Sequence, residues 1–158
     1  MNFAFTPATP DQLPAVDALM RAAFTPYMSA LGREIAPDQY DWFAGAISAG
    51  DIFVAREGDA IVGAIATKRG GREREMVLAM IAVEPARQKS GIASWMIGRV
   101  EEVARGRGVR TLQLVTAEKM EDRVRLYSRQ GFRIMRRGPQ EQGKDSHIRV
   151  YMAKELGP

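Results

Sequence analysis

The sequence predicts an α/β (α+β) fold: one mixed, mostly antiparallel sheet of about seven strands with helices on both faces, in the order βααβββαβαββ. Two β-rich runs, DIFVARE and AIVGAIATK, are separated by a Gly-Asp pair and followed by a third run, EMVLAMIAV, which places three consecutive antiparallel strands mid-chain. The third run is apolar on both parities, as a central strand covered on both faces must be. The strand-helix-strand segments that follow require parallel neighbours, so the sheet is mixed.

The elements can be justified in order. A short strand covers residues 3–6. A helix starts between Thr9 and Asp11, where Thr9 and Gln12 have capping-box spacing, and Leu13, Val16, Met20 and Ala23 recur at helical intervals. It is expected to stop before the turn-rich link FTPYMSALGREIAPDQ. A second helix, over residues 38–49, puts Tyr40, Phe43, Ala44 and Ile47 on one side and ends at Gly50. After the three strands comes a helix with Ile92, Met96, Val100 and Val103 on one stripe and Arg99, Glu101, Glu102 and Arg105 on the other, closed by Gly106 and Gly108. RTLQLVT then reads as a strand, KMEDRVRLYSRQ as a helix, GFRIMRR as a strand and SHIRVYMAK as a final alternating strand.

Length and composition narrow the function. A chain of 158 residues supports one core, so residues 1–158 are read as a single domain. No cysteine and a lone histidine, His147, exclude disulfides, thiol nucleophiles, Cys/His zinc sites and any Ser-His-Asp triad not built on His147; no metal is expected. No stretch approaches the roughly 20 apolar residues of a membrane helix, and the start of the chain lacks the pattern of a signal peptide, so the expectation is a cytoplasmic protein without a membrane partner. The net charge of +4 favours an anionic partner. The run RVRLYSRQGFRIMRR reads as a solvated helix face and strand edge, with nucleic-acid binding as the less favoured alternative.

The chemistry-bearing stretch is VEPARQKSGIASWM, residues 83–96, where an apolar strand passes through a basic, Gly-containing turn into a helix. Main-chain amides unpaired at a helix start, aided by the helix dipole, form a cradle for an anion. Small residues at Ser90, Gly91 and Ala93 admit a phosphate, and Lys89 or Arg87 can supply the charge. Neither G-x-x-x-x-G-K-[ST] nor G-x-G-x-x-G is present, so this is no P-loop and no dinucleotide fingerprint.

AVEPARQKSGIA resembles the acyl-coenzyme A signature of the GNAT superfamily of N-acyltransferases, a strand ending in Val-x-Pro followed by R/Q-x-x-G-x-G/A, with Gln88, Gly91 and Ala93 at its fixed positions. LYSRQGF, residues 126–132, resembles the L-Y-x-x-x-G-F of the same family. The resemblance implies a single N-acetyltransferase domain using acetyl-CoA as cosubstrate, with an amine-bearing acceptor and a homodimer allowed. It implies that Gln88, Lys89, Ser90, Gly91, Ile92 and Ala93 hold the pyrophosphate. The backbone of Ile81, Ala82 and Val83 would then serve the pantetheine arm and the thioester carbonyl, in a V-shaped slot opened by divergence from the strand beginning near Thr111. Tyr127 takes the position of the general acid. Three departures stand out: Lys89 where the family often has glycine, and Met120 and Arg123 where many members have asparagine and alanine. Arg123 either reaches a phosphate or faces water.

Acyl transfer to an amine also needs a base and an acceptor pocket. Glu75 shares parity with Ile81 and Val83 if no bulge intervenes, and Glu73, Glu84 and His147 are alternatives. Phe24, Tyr27 and Met28, with Tyr40 and Trp42, are the candidate acceptor wall, or else ordinary core. The expected activity is transfer of acetyl from acetyl-CoA to a primary amine of a small molecule or peptide by direct attack in a ternary complex. The alternative is a non-catalytic acyl-CoA-binding regulatory domain.

Overall fold

A computed structural model of the protein describes residues 2–140, 143 and 145–157. The strands β1 (Ala4–Pro7), β2 (Ile52–Glu57), β3 (Ala60–Arg69), β4 (Glu75–Val83), β5 (Thr111–Ala117), β6 (Arg133–Pro139) and β7 (Ile148–Glu155) form one seven-stranded sheet. Its helices are α1 (Leu13–Ala30), α2 (Phe43–Ser48), α3 (Ile92–Gly106) and α4 (Glu121–Arg129), giving the predicted order βααβββαβαββ.

The spatial order is β1-β2-β3-β4-β5-β7-β6, antiparallel except for the parallel pair β4 and β5. The expectation of parallel neighbours therefore holds for β4-α3-β5 but not for β5-α4-β6, because β7 lies between β5 and β6 and pairs antiparallel with both. One apolar layer packs under α3 and α4, with Met96, Ile97, Val100, Leu112 and Tyr127; the other packs under α1 and α2, with Val16, Met20, Phe43, Ile52 and Ala64. The α3 helix rides close on β3 at Gly63, where a Cβ would stand 2.8 Å from Met96 Sδ and 3.2 Å from the Ala82 carbonyl oxygen.

Both early helices differ from their predicted bounds. The capping box forms as expected, with the Thr9 amide donating to Gln12 Oε1 at 2.9 Å, but a 3-10 turn over Pro10–Gln12 precedes α1, which starts at Leu13 and continues through Pro26 to Ala30. A proline costs one backbone hydrogen bond inside a helix; burial of Ala23 and Met28 on either side of it holds the helix together. The second helix is cut to Phe43–Ser48, with turns over residues 37–42. Arg21 donates to the carbonyls of Ala36 and Pro37, at 3.3 and 2.9 Å, and the Ala36 amide donates to Gln39 Oε1 at 3.0 Å, which fixes that stretch as turns. Glu101, expected on the polar stripe of α3, is buried and accepts from Lys154 Nζ at 2.7 Å.

Candidate active site

The site is opened by two strands that part. The β4 and β5 strands pair only through Glu75, Met76 and Val77 against Thr111, Leu112 and Gln113, and then run on to Val83 and Ala117 without further pairing to each other. A bulge shapes the free part of β4: Ala66 of β3 is opposite Met80 and Thr67 is opposite Leu78, so Ala79 has no partner. Beyond it, the Glu84 amide bonds the Val62 carbonyl at 2.9 Å, which sets the alternation. By that alternation Ile81 and Val83 turn their backbone N–H and C=O groups away from β3, into the gap. The opposite wall is β5, where Glu118 N bonds Ile148 O and Ala117 therefore faces the gap.

The turn after β4 is built by short-range bonds. Arg87 N donates to Glu84 O at 2.8 Å, and the Ser90 hydroxyl donates to Arg87 O. Lys89 has φ +63° and Gly91 φ +89°, two left-handed residues that swing the chain into α3. Among the described residues, no amide of residues 88–93 donates to a backbone carbonyl, whereas Trp95 N bonds Gly91 O at 3.0 Å and starts the helical ladder. Such an array can hold an anion, with the helix dipole behind it. Arg87 is committed elsewhere: it forks onto Glu57, at 2.9 and 3.2 Å, and lies 3.3 Å from Glu84. That leaves Lys89 as the cation of the turn.

A cavity of about 940 Å³ joins these parts. Ile81, Val83, Gln88, Lys89, Gly91, Ile92 and Ala93 line one side, and Met120, Arg123, Leu126, Tyr127 and Arg129 line the other. Ala82 and Ser90 do not line it. The Ala82 side chain packs in the α1/α2 layer, and the Ser90 hydroxyl is turned into its own loop. Tyr127 is buried, edge-on to Phe132 at 6.3 Å. Burial pushes its hydroxyl above the ordinary tyrosine range, and the adjacent Arg123 charge partly opposes that shift.

Glu75 stands apart from this assembly. It lies at the closed end of the V, accepts from Gln113 Nε2 at 3.0 Å and from the Arg72 amide at 2.7 Å, and lines a second cavity of about 820 Å³. The bulge at Ala79 breaks the parity that would have set Glu75 beside Ile81 and Val83. The alternatives fare no better: Glu73 lines the second cavity, Glu84 is 3.3 Å from Arg87, and neither Glu84 nor His147 lines the first.

The aromatic candidates divide. Met28 is buried, while Phe24 and Tyr27 are half-buried and edge-on at 5.9 Å. The Tyr27 hydroxyl accepts the Ala117 amide at 3.0 Å, so α1 plants this residue at the open mouth of the V. Tyr40 and Trp42 instead pack on Phe43. Two features here go beyond the sequence reading, which had Arg123 either reaching a phosphate or facing water and gave Asp145 and Arg149 no role. Arg123 stacks over Tyr27 and Phe24, with its guanidinium carbon 5.0 and 5.3 Å from the ring centres; its place four residues before Tyr127, on the same helical face, was the available signal. Behind Tyr27, the buried Arg149 forks onto Asp145, both bonds 3.0 Å, with Arg33 at 3.4 Å. These bonds hold the Asp145 carboxyl at about 2.

Among the described residues no group of His, Cys, Asp and Glu could hold a metal ion, and no helix is long and apolar enough to cross a membrane. Residues 16–132 match the model of the acetyltransferase (GNAT) family. No curated protein is similar enough in sequence to count as a match. Solved structures share the fold. Ard1 from Thermoplasma volcanium is 15% identical with a TM-score of 0.79, covering all of both chains. The PaiA N-acetyltransferase from Thermoplasma acidophilum, in complex with coenzyme A, is 15% identical with a TM-score of 0.74, over 99% of this chain and 100% of that one. YncA from Salmonella typhimurium, with acetyl-CoA, is 16% identical with a TM-score of 0.77, over 100% and 96%.

Proposed function

The chain belongs to the GNAT family of acetyltransferases, and from that premise we propose that it transfers acetyl from acetyl-CoA to a primary amine of a small molecule or peptide, by direct attack in a ternary complex. One observation carries the reading: the unpaired stretches of β4 and β5 open beside a turn of free amides, with Tyr127 on the facing wall.

Each part has a task. The amides of residues 88–93, with Lys89, hold the diphosphate of the cosubstrate. The backbone groups of Ile81 and Val83 pair with the amide-bearing arm as an added strand would. The N–H of Ile81, which faces the gap, steadies the negative charge that grows on the carbonyl oxygen; that of Ala82, the other candidate, is turned toward Ala64 of β3. The amine nitrogen attacks the thioester carbon, the C–N bond forms, and the C–S bond breaks. The Tyr127 hydroxyl gives its proton to the departing sulfur, the attacking nitrogen loses one to water, and solvent returns one to Tyr127. Because burial raises its pKa, Tyr127 keeps that proton through neutral pH.

The test is thiol release from acetyl-CoA across a panel of amines. Tyr127→Phe is expected to lower kcat by about a hundredfold or more while acetyl-CoA affinity changes little. A second reading, a non-catalytic acyl-CoA-binding regulatory domain, is favoured by one observation: Glu73, Glu75, Glu84 and His147 all lie off the cavity. Acetyl-CoA binding without thiol release for any amine selects it.

A further inference from the structure

The acetyltransferase reading leaves the acceptor class open, and the charges at the open end of the V bear on it. Arg123 is half-buried, lines the cavity beside Tyr127, and reaches across to α1, where it rests on the rings of Tyr27 and Phe24. Among the described residues no carboxylate lies within ion-pair distance of it. Stacking occupies the faces of a guanidinium, while its N–H donors lie in the plane and point outward. A partly desolvated cation steadied by two rings and lacking a counter-charge is arranged for a planar anion arriving edge-on. The surroundings have the same sign. Arg149 and Arg33 share the single carboxylate of Asp145, which leaves one positive charge in excess. Of the acids at this end, Glu118 pairs with Arg137 and Asp122 with Arg125; Glu121 and Asp122 also line the cavity, both exposed on the first turn of α4 and neither paired with Arg123.

We propose that the amine acetylated by this chain carries a carboxylate or a similar planar anion, and that Arg123 is the residue that recognises it. The inference rests on the acetyltransferase reading. It names amino-acid-like acceptors as the substrate class and excludes polyamines, which would bring only like charge to this end of the slot.

The experiment measures thiol release with amino acids whose amine and carboxylate are separated by one, two or three carbons, each against its own carboxamide, and with a diamine. The carboxamide has the less basic amine and so the larger neutral fraction, which means a preference for the acid reports recognition rather than protonation. The expected result is a kcat/KM for at least one acid about tenfold or more above its carboxamide. That ratio should fall toward one in Arg123→Gln and recover in part in Arg123→Lys. Being internal to each protein, the ratio does not depend on how much of a variant is folded. Equal turnover of acids and carboxamides, preference for the diamine, or a ratio unmoved in Arg123→Gln overturns the inference and leaves the transferase reading standing. No thiol release from any of them, by a protein that does release thiol with other amines of the panel, overturns the inference alone; no release with any amine of the panel, by a protein whose melting temperature rises with acetyl-CoA, overturns both.

Discussion

Lys89 holds a backbone conformation that suits glycine, with φ +63°, in the middle of the anion turn. A left-handed L-residue costs about 1–2 kcal/mol, whereas glycine's extra chain entropy costs roughly 0.5–1 kcal/mol. Lys89→Gly is therefore expected to be at least as stable as the parent in chemical denaturation. By calorimetric titration it should bind acetyl-CoA about tenfold more weakly, because a charge-assisted phosphate contact is gone. The family's frequent glycine and this chain's lysine thus represent two ways to make one turn, the second trading strain for charge. Asp145 lends itself to a test of pH. Its carboxyl titrates at about 2 in the fold and near 3.9 in an unfolded chain, so its contribution is complete above about pH 4 and is lost as pH falls toward 2. Asp145→Asn should be the less stable protein at neutral pH in urea, and the gap should close near pH 2.

At the scale of elements, Gly63 is where β3 and α3 meet, with Met96 fully buried against it. Gly63→Ala is expected to cost about 1–3 kcal/mol, as overpacking does. Pairing it with Met96→Ala should give a loss smaller than the sum of the two, since the smaller side chain vacates the space the new methyl needs. How legible these elements were depends on the range of the forces that set them. The turn after β4 and the Leu126–Phe132 segment are local, and Gln88, Gly91, Tyr127 and Gly131 announce them in sequence. The bulge at Ala79 sits inside an unbroken apolar run and left no mark, so the parity of Glu75 could not be read. Likewise α1 passes Pro26 because of what Ala23 and Met28 are buried in, which no propensity reports. Phe24, Tyr27 and Met28 could be named from sequence as a candidate acceptor wall, but Tyr27 meets Ala117, and Arg123 meets Tyr27, across elements distant in sequence, so those meetings emerged only from the fold.

For the whole molecule, cosubstrate binding should read as stability. At one hundred times its dissociation constant, acetyl-CoA adds about 2.7 kcal/mol. For a 158-residue domain that corresponds to a rise in melting temperature of roughly 5–11 °C in a thermal scan. Seating a cosubstrate between β4 and β5 would link the two halves of the sheet where they do not otherwise bond, so the gain belongs to the molecule rather than to one loop. The place of β7, between β5 and β6, bears on how the chain is made. During synthesis β6 leaves the ribosome with no neighbour to join, and it stays a loose ribbon until residues 148–155 have followed it out and zipped against both strands. The half from β1 to β5 can settle early, but the wall carrying Tyr127 is braced only when that late strand docks, so a stall in translation shortly before it should leave a nascent chain with an ordered front and an unfinished Tyr127 flank.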